Sequence, residues 1–216
     1  MIEQYLRHRY QQLLVNPIAA RLSALVTPNQ ITLLSGVLGI LVLPLLLVHQ
    51  EYLAITFLLL SGYCDTLDGT LARLNHQSSD WGSVLDIMTD RFVEFIVVFA
   101  LWSIAPAQRS LLCLLMLGSM LLCISSFLVV GIFSVNHSQK SFHYSPGLME
   151  RAEAFLFFIA MMIWPHAFIL LACLFTGFVT YTAGMRLVQF YYQQQLIDVF
   201  DRANESKASL LEKEGL

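Results

Sequence analysis

Apolar residues in this 216-residue chain come in long runs, not in the alternation of half-buried strands. Six such runs can be drawn, near 31–48, 52–72, 82–104, 109–133, 148–165 and 166–190. Each approaches the ~20 residues that a helix needs to cross the hydrocarbon core of a bilayer. The last two are nearly continuous. Trp164-Pro165-His166 is their natural hairpin point, because proline disfavours continued helix. The pattern predicts an all-α integral membrane protein with six transmembrane helices.

Polar spacing marks what flanks these runs. Residues 2–24 place Ile2, Tyr5, Leu6, Leu13, Leu14, Ile18 and Leu22 at helical intervals, which predicts an N-terminal amphipathic juxtamembrane helix. It either lies on the cytoplasmic membrane surface or packs against the bundle. Thr27-Pro28-Asn29 punctuates the entry into the first span, with proline at a position suited to the first helical residue. The tail from Asp198 is polar and charged and reads as frayed helix or disorder. The expected division is 1–26 for the amphipathic helix, 27–192 for the six-helix membrane domain and 193–216 for the polar tail.

Composition agrees with a membrane class. The chain is 57% hydrophobic and only 12% charged, against roughly 25% charged in soluble domains. A net charge of −3 says little by itself, and no nucleic-acid partner is expected. Charge matters here by side. With six spans, one side carries Arg7, Arg9, Arg21, Arg73, Arg91, Lys140, Arg151, Arg186, Arg202, Lys207 and Lys213, and the other only Arg109. That asymmetry predicts cytoplasmic termini in a multi-pass protein of the cell membrane. No cleavable signal peptide is expected, because residues 1–24 lack a compact apolar core ending in small residues. Cys64, Cys113, Cys123 and Cys173 stand singly in hydrophobic runs and read as small buried hydrophobes.

Against this background one segment is anomalous. Asp65-Thr-Leu-Asp68-Gly69-Thr-Leu-Ala72-Arg73 is followed by Gly82, Asp86 and Asp90, all where apolar segments meet. A charge in a membrane helix costs about 2.5–3.5 kcal/mol on insertion scales, so such a cluster needs a task. Asp65 and Asp68 share one helix face, as do Asp86 and Asp90. Four converging carboxylates form a hard oxygen site suited to Mg²⁺ or Mn²⁺. Gly69 and Gly82 remove side chains where a backbone approaches a ligand. Arg73 offers a planar fork to phosphate oxygens. The plainer alternative is a buried ionic network holding the helices together.

The spacing of Asp65, Asp68, Gly69, Ala72, Arg73, Gly82, Asp86 and Asp90 resembles the CDP-alcohol phosphotransferase family at every fixed position. The resemblance implies transfer of a phosphatidyl group, usually from CDP-diacylglycerol, to the hydroxyl of a small polar alcohol, with release of CMP. It implies Asp65, Asp68, Asp86 and Asp90 as metal ligands, with Asp90 also the general base. It puts the donor against Gly69, Arg73 and Ser79, and against the turn Thr27, Pro28, Asn29 and Gln30. Arg151 and Arg186 correspond to arginines that hold the phosphate of a phosphorylated acceptor, unless they are positive-inside anchors. Phe127–Phe133 lacks the lysine and arginine of the inositol-phosphate branch, which leaves glycerol phosphate or an uncharged alcohol. A homodimer is also implied.

Other residues carry less. Glu94 lies on the face of Asp86 and Asp90 and either tunes the site or pairs locally with Arg91. His76, His137 and His143 read as solvated loop residues, and Trp81, Trp102 and Trp164 as interfacial aromatics. Three rivals remain at this point. One is a cation or solute transporter with intramembrane carboxylates. Another is a non-catalytic membrane scaffold, and the third is an enzyme of the same family that moves a soluble CDP-alcohol onto diacylglycerol.

Overall fold

The structure, a computed structural model, describes residues 10–135 and 151–213. Residues 2–9 of the expected amphipathic helix, His137, Lys140, His143 and the start of the fifth segment at 148–150 lie outside them. A π-helical turn, Gln11–Val15, leads into α1, Asn16–Leu22. Six longer helices follow: α2 Pro28–Leu47, α3 Glu51–Leu74, α4 Asp80–Ile104, α5 Pro106–Val135, α6 Arg151–Ile163 and α7 Phe168–Lys213. Each matches one of the six apolar segments, and no strand occurs among the described residues. A short 3₁₀ turn, Pro165–Ala167, separates α6 from α7 at the expected hairpin.

Three stretches are long and apolar enough to cross a membrane: Pro28–Leu47, Pro106–Phe133 and Pro165–Gln195. α3 and α4 fall short of that standard because of the charged residues they carry, and α6 has 13 described residues. α7 continues to Lys213 without a break at the expected boundary near residue 192. Residues 193–213 contain neither glycine nor proline and are rich in helix-forming residues, so nothing local stops the helix.

The described chain divides into two compact units. The first holds α1–α4, α5 up to Leu114, and Phe155–Leu171; the second holds Leu115–Ala154 and Ala172 onwards. In the first unit α2 packs against both α3 and α4, and α1 against α3. Gly39 makes the α2–α4 approach possible, since a Cβ there would stand 2.5 Å from a Val93 methyl. Across α2 and α3, Ser35 Oγ donates to Ser61 O and Ser61 Oγ to Ser35 O, both at 2.9 Å. Such side-chain to backbone bonds hold helices together where no hydrophobic gain separates protein from lipid.

The segment ahead of α2 has two apolar faces. Val15 and Ala19 are buried with Cys64, Leu67 and Leu71, whereas Leu13 is 69% exposed and Leu14 and Ile18 are also exposed. One face packs on the bundle, which is one of the two expected placements, and the other remains open.

The link from α3 to α4 follows from a helix cap. His76 adopts a left-handed φ of 53°, Gln77 N–H donates to Ala72 O at 2.9 Å and His76 N–H to Arg73 O at 3.4 Å. This doubly bonded turn ends α3 and turns the chain towards Ser79, the N-cap of α4, whose Oγ accepts from Gly82 N–H at 3.0 Å.

Candidate active site

Three acids of the pattern come together. Asp65 and Asp68 near the end of α3, and Asp86 in the second turn of α4, offer carboxylate oxygens within 4.8 Å of one another. Asp68 is buried and the other two are half-buried. Like charges ~5 Å apart repel by about 3 kcal/mol at an effective dielectric near 20, so the cluster favours a cation among them. The donor set is all carboxylate, which fits a hard divalent ion such as Mg²⁺ or Mn²⁺. Asp90 stands one turn beyond Asp86, about 6 Å along α4, and is outside this group of three.

The carboxylates are held by their neighbours. Thr32 Oγ1 on α2 donates to Asp68 Oδ2 at 2.5 Å in a buried contact. Arg91 Nη1 lies 2.6 Å from Glu94 Oε2, so Glu94, 3% exposed, makes the local ion pair that was one of its two readings.

Beside the acids is a cavity of about 170 Å³. Pro28, Asn29 and Thr32 line it from α2, and Asp68, Gly69, Ala72 and Arg73 from α3. Gln77, Ser78 and Ser79 line it from the link, and Gly82, Ser83 and Asp86 from α4. Two helices, α2 and α4, therefore begin at this cavity. Their positive dipole ends favour an anion there. Arg73 adds a full positive charge at the exposed rim. One wall attracts a cation and the others an anion.

The glycines act differently from one another. A Cβ at Gly69 would lie 3.7 Å from Arg73 Nη1, so the guanidinium crosses open backbone at the cavity wall. A Cβ at Gly82 would crowd Ser79 Oγ at 3.1 Å and Asn29 Oδ1 at 3.3 Å. Gly82 thus permits the cap of α4 and its approach to α2, as well as access to the cavity.

Of the expected donor contacts, Pro28, Asn29, Gly69, Arg73 and Ser79 line the cavity, whereas Thr27 and Gln30 do not. Those two cap α2, with Thr27 N–H donating to Gln30 Oε1 at 3.0 Å. Arg151 and Arg186 belong to the second unit. There Arg186 Nη1 donates to Cys123 O at 3.2 Å, and its guanidinium lies 5.4 Å from the centre of the Phe127 ring. Thr32, Gln77, Ser78 and Ser83 were not anticipated. Thr32 was reachable, since it lies four residues after Pro28 and so on the same helix face.

The model of the CDP-alcohol phosphatidyltransferase family matches residues 25–188. The chain belongs to that family. It is therefore a membrane protein and a phosphatidyltransferase of phospholipid biosynthesis, which sets aside the transporter and scaffold readings. It is 31% identical over 175 residues to the inner membrane protein YnjF of Escherichia coli, covering 78% of this chain and 84% of that one. It is 30% identical over 146 residues to the phosphatidylinositol phosphate synthase of Corynebacterium glutamicum, covering 66% and 65% respectively. Its fold is that of the Mycobacterium tuberculosis phosphatidylinositol phosphate synthase (PgsA1), at 21% identity. The structure of that enzyme with CDP-DAG bound superposes with a TM-score of 0.69, over 82% of this chain and 94% of that one. The structure with manganese and citrate gives 0.70, over 82% and 89%.

Proposed function

We propose that this protein transfers a phosphatidyl group from CDP-diacylglycerol to the hydroxyl of a small polar alcohol, releasing CMP. The observation that carries this reading is the meeting of Asp65, Asp68 and Asp86 beside a cavity opened by two helix N-termini and Arg73. Asp65, Asp68, Asp86 and Asp90 would hold the divalent cation, Mg²⁺ or Mn²⁺. Bound there, the cation would neutralise diphosphate charge as the leaving group departs. Gly69, Arg73, Ser79, Pro28 and Asn29 hold the CDP end of the donor, while Thr27 and Gln30 keep α2 started at the right place.

Asp90 takes the proton of the acceptor hydroxyl as its oxygen attacks the phosphatidyl phosphorus in line. The new oxygen–phosphorus bond forms while the bond to CMP breaks. An alcohol is far less acidic than a carboxylic acid, so proton removal is concerted with attack. Arg151 and Arg186 serve an acceptor phosphate when the acceptor has one. The absence of lysine and arginine from Phe127–Phe133 favours glycerol phosphate or an uncharged alcohol over inositol phosphate, despite the names of the relatives.

The protein acts as a six-span homodimer in the cell membrane with termini and active site towards the cytoplasm. At 24 and 25 residues, α3 and α4 are about 36–38 Å long, enough to cross a core of about 30 Å while keeping their acids near one boundary. The test is CMP release by detergent-purified protein with Mg²⁺ or Mn²⁺. Glycerol phosphate, inositol phosphate and uncharged polyols would be offered as acceptors to CDP-diacylglycerol. CMP release dependent on metal and on one of these acceptors is expected. Release only when soluble CDP-alcohols are paired with diacylglycerol would instead support the reversed arrangement, and no release in either arm would refute the proposal.

A further inference from the structure

Thr70 occupies a position that the acidic pattern leaves open, between Gly69 and Ala72, yet it is 4% exposed and its hydroxyl is fully used. Thr70 Oγ1 donates to Thr66 O at 2.9 Å. It accepts from Arg73 Nη2 at 3.2 Å and from Gln11 Nε2 at 3.1 Å. A hydroxyl has one donor and two acceptor sites, so these bonds saturate it.

The consequence falls on Arg73. An exposed arginine carries large rotamer freedom, which binding must remove unless another group has already removed it. Thr70 holds one arm of the fork, and the other arm, Nη1, crosses the bare backbone at Gly69 on the cavity wall. Gln11 reaches Thr70 from the π-helical turn, 59 residues earlier in the chain. That segment is fastened to α3 nearby, with Tyr63 Oη donating to Leu14 O at 2.8 Å.

We propose that Thr70 positions Arg73 for the donor diphosphate, and that Gln11 makes the segment ahead of α2 part of that positioning. The inference rests on the reading of Arg73 as a diphosphate contact. The N-terminal segment then influences donor affinity without touching the donor, and without a direct effect on the metal cluster.

The experiment measures the Kd of full-length, detergent-purified protein for CDP-diacylglycerol in mixed micelles at saturating Mn²⁺, with Mn²⁺ affinity and thermal midpoint alongside. Thr70→Val keeps the branched shape and should weaken donor binding roughly tenfold, equivalent to about 1.4 kcal/mol. Mn²⁺ affinity should stay unchanged. Thr70→Ser should restore donor binding to within about threefold, and Gln11→Leu should weaken it about threefold. In an Arg73→Ala background, Thr70→Val should add nothing, because the arginine it positions is gone. An equal loss in that background would overturn the inference and make Thr70 merely structural. An unchanged Kd for Thr70→Val, where Arg73→Ala binds weakly, would overturn it while sparing the reading of Arg73. An unchanged Kd for Arg73→Ala would overturn both. Should Thr70→Val fail to fold, Gln11→Leu carries the same comparison.

Discussion

Removing the Thr32 hydroxyl tests whether a group on α2 orients an acid on α3. Thr32→Val is nearly isosteric, and Thr32 is 4% exposed, so the change removes a buried donor with little change of shape. The bond to Asp68 is short and buried, and its acceptor is a carboxylate. Hydrogen bonds to charged groups contribute about 1.5–3 kcal/mol. Thr32 Oγ1 also lies 3.2 Å from Pro28 O, but one proton serves one acceptor at a time. Pro28 O already belongs to the helical ladder of α2, whereas Asp68 Oδ2 would face a methyl group. The carboxylate would then lose the contact that fixes which oxygen turns towards Asp65 and Asp86. Partners of metal ligands typically contribute ~10–100-fold in metal affinity, which agrees with the hydrogen-bond estimate.

The measurement is Mn²⁺ titration of purified protein, read from the electron paramagnetic resonance of the free ion. Thr32→Val should weaken binding ~10–100-fold, and Thr32→Ser should recover most of it. Asp68→Asn should lose more than either. A wild-type Mn²⁺ affinity in Thr32→Val, with Asp68→Asn impaired, would refute the orienting role and leave the bond as helix packing alone.

Three other outcomes are expected. Asp90→Asn should lower CMP release by ~10²–10⁴ while keeping much of the donor binding; Asp65→Asn should damage metal and donor binding together, and substantial turnover by Asp90→Asn at saturating metal would leave Asp90 no role as base. Gly39→Ala forces a Cβ to 2.5 and 2.8 Å from the Val93 methyls, where carbons need ~3.5–4 Å, and should lower stability in detergent by about 1–3 kcal/mol; adding Val93→Ala should recover part of it, and an unchanged unfolding midpoint in the single variant would contradict the close α2–α4 approach. His76→Gly should be neutral or stabilise by up to about 1 kcal/mol, since φ 53° is strained for a side chain, and a clear loss would mean that the imidazole makes a contact of its own.

The two acid pairs were legible because spacing of three and four residues fixes a shared helix face wherever the helix goes. The six apolar segments were legible as helices, and three of them are long and apolar enough to cross a membrane, because lipid demands length and apolarity. The partners of those acids were not. Thr32 meets Asp68 only once α2 has docked on α3, and Thr70 meets Gln11 across 59 residues. Thr27 and Gln30 matched a donor-binding stretch, yet their visible work is capping α2. A motif match does not separate residues that touch a ligand from residues that place those that do.

The face of α2 was hidden for a further reason. Its buried side carries Thr32, Ser35, Gly36 and Gly39, while Leu33, Leu34, Val37 and Ile40 are exposed. Hydropathy cannot orient such a helix, because lipid takes the apolar face and the protein interior takes the small and polar one. Size carries the information that hydropathy lacks. Gly36 and Gly39 admit Thr89 and Val93 of α4, and Ser35 bonds Ser61 of α3, so one stripe of small residues receives both neighbours. Thr32 continues that stripe one turn towards the N-terminus, where it meets Asp68 instead of another helix surface. The same face that packs the three helices therefore sets the distance between the acids of α3 and α4. Bulk added anywhere along it should be felt at the acidic cluster, in proportion to how far it pushes those two helices apart.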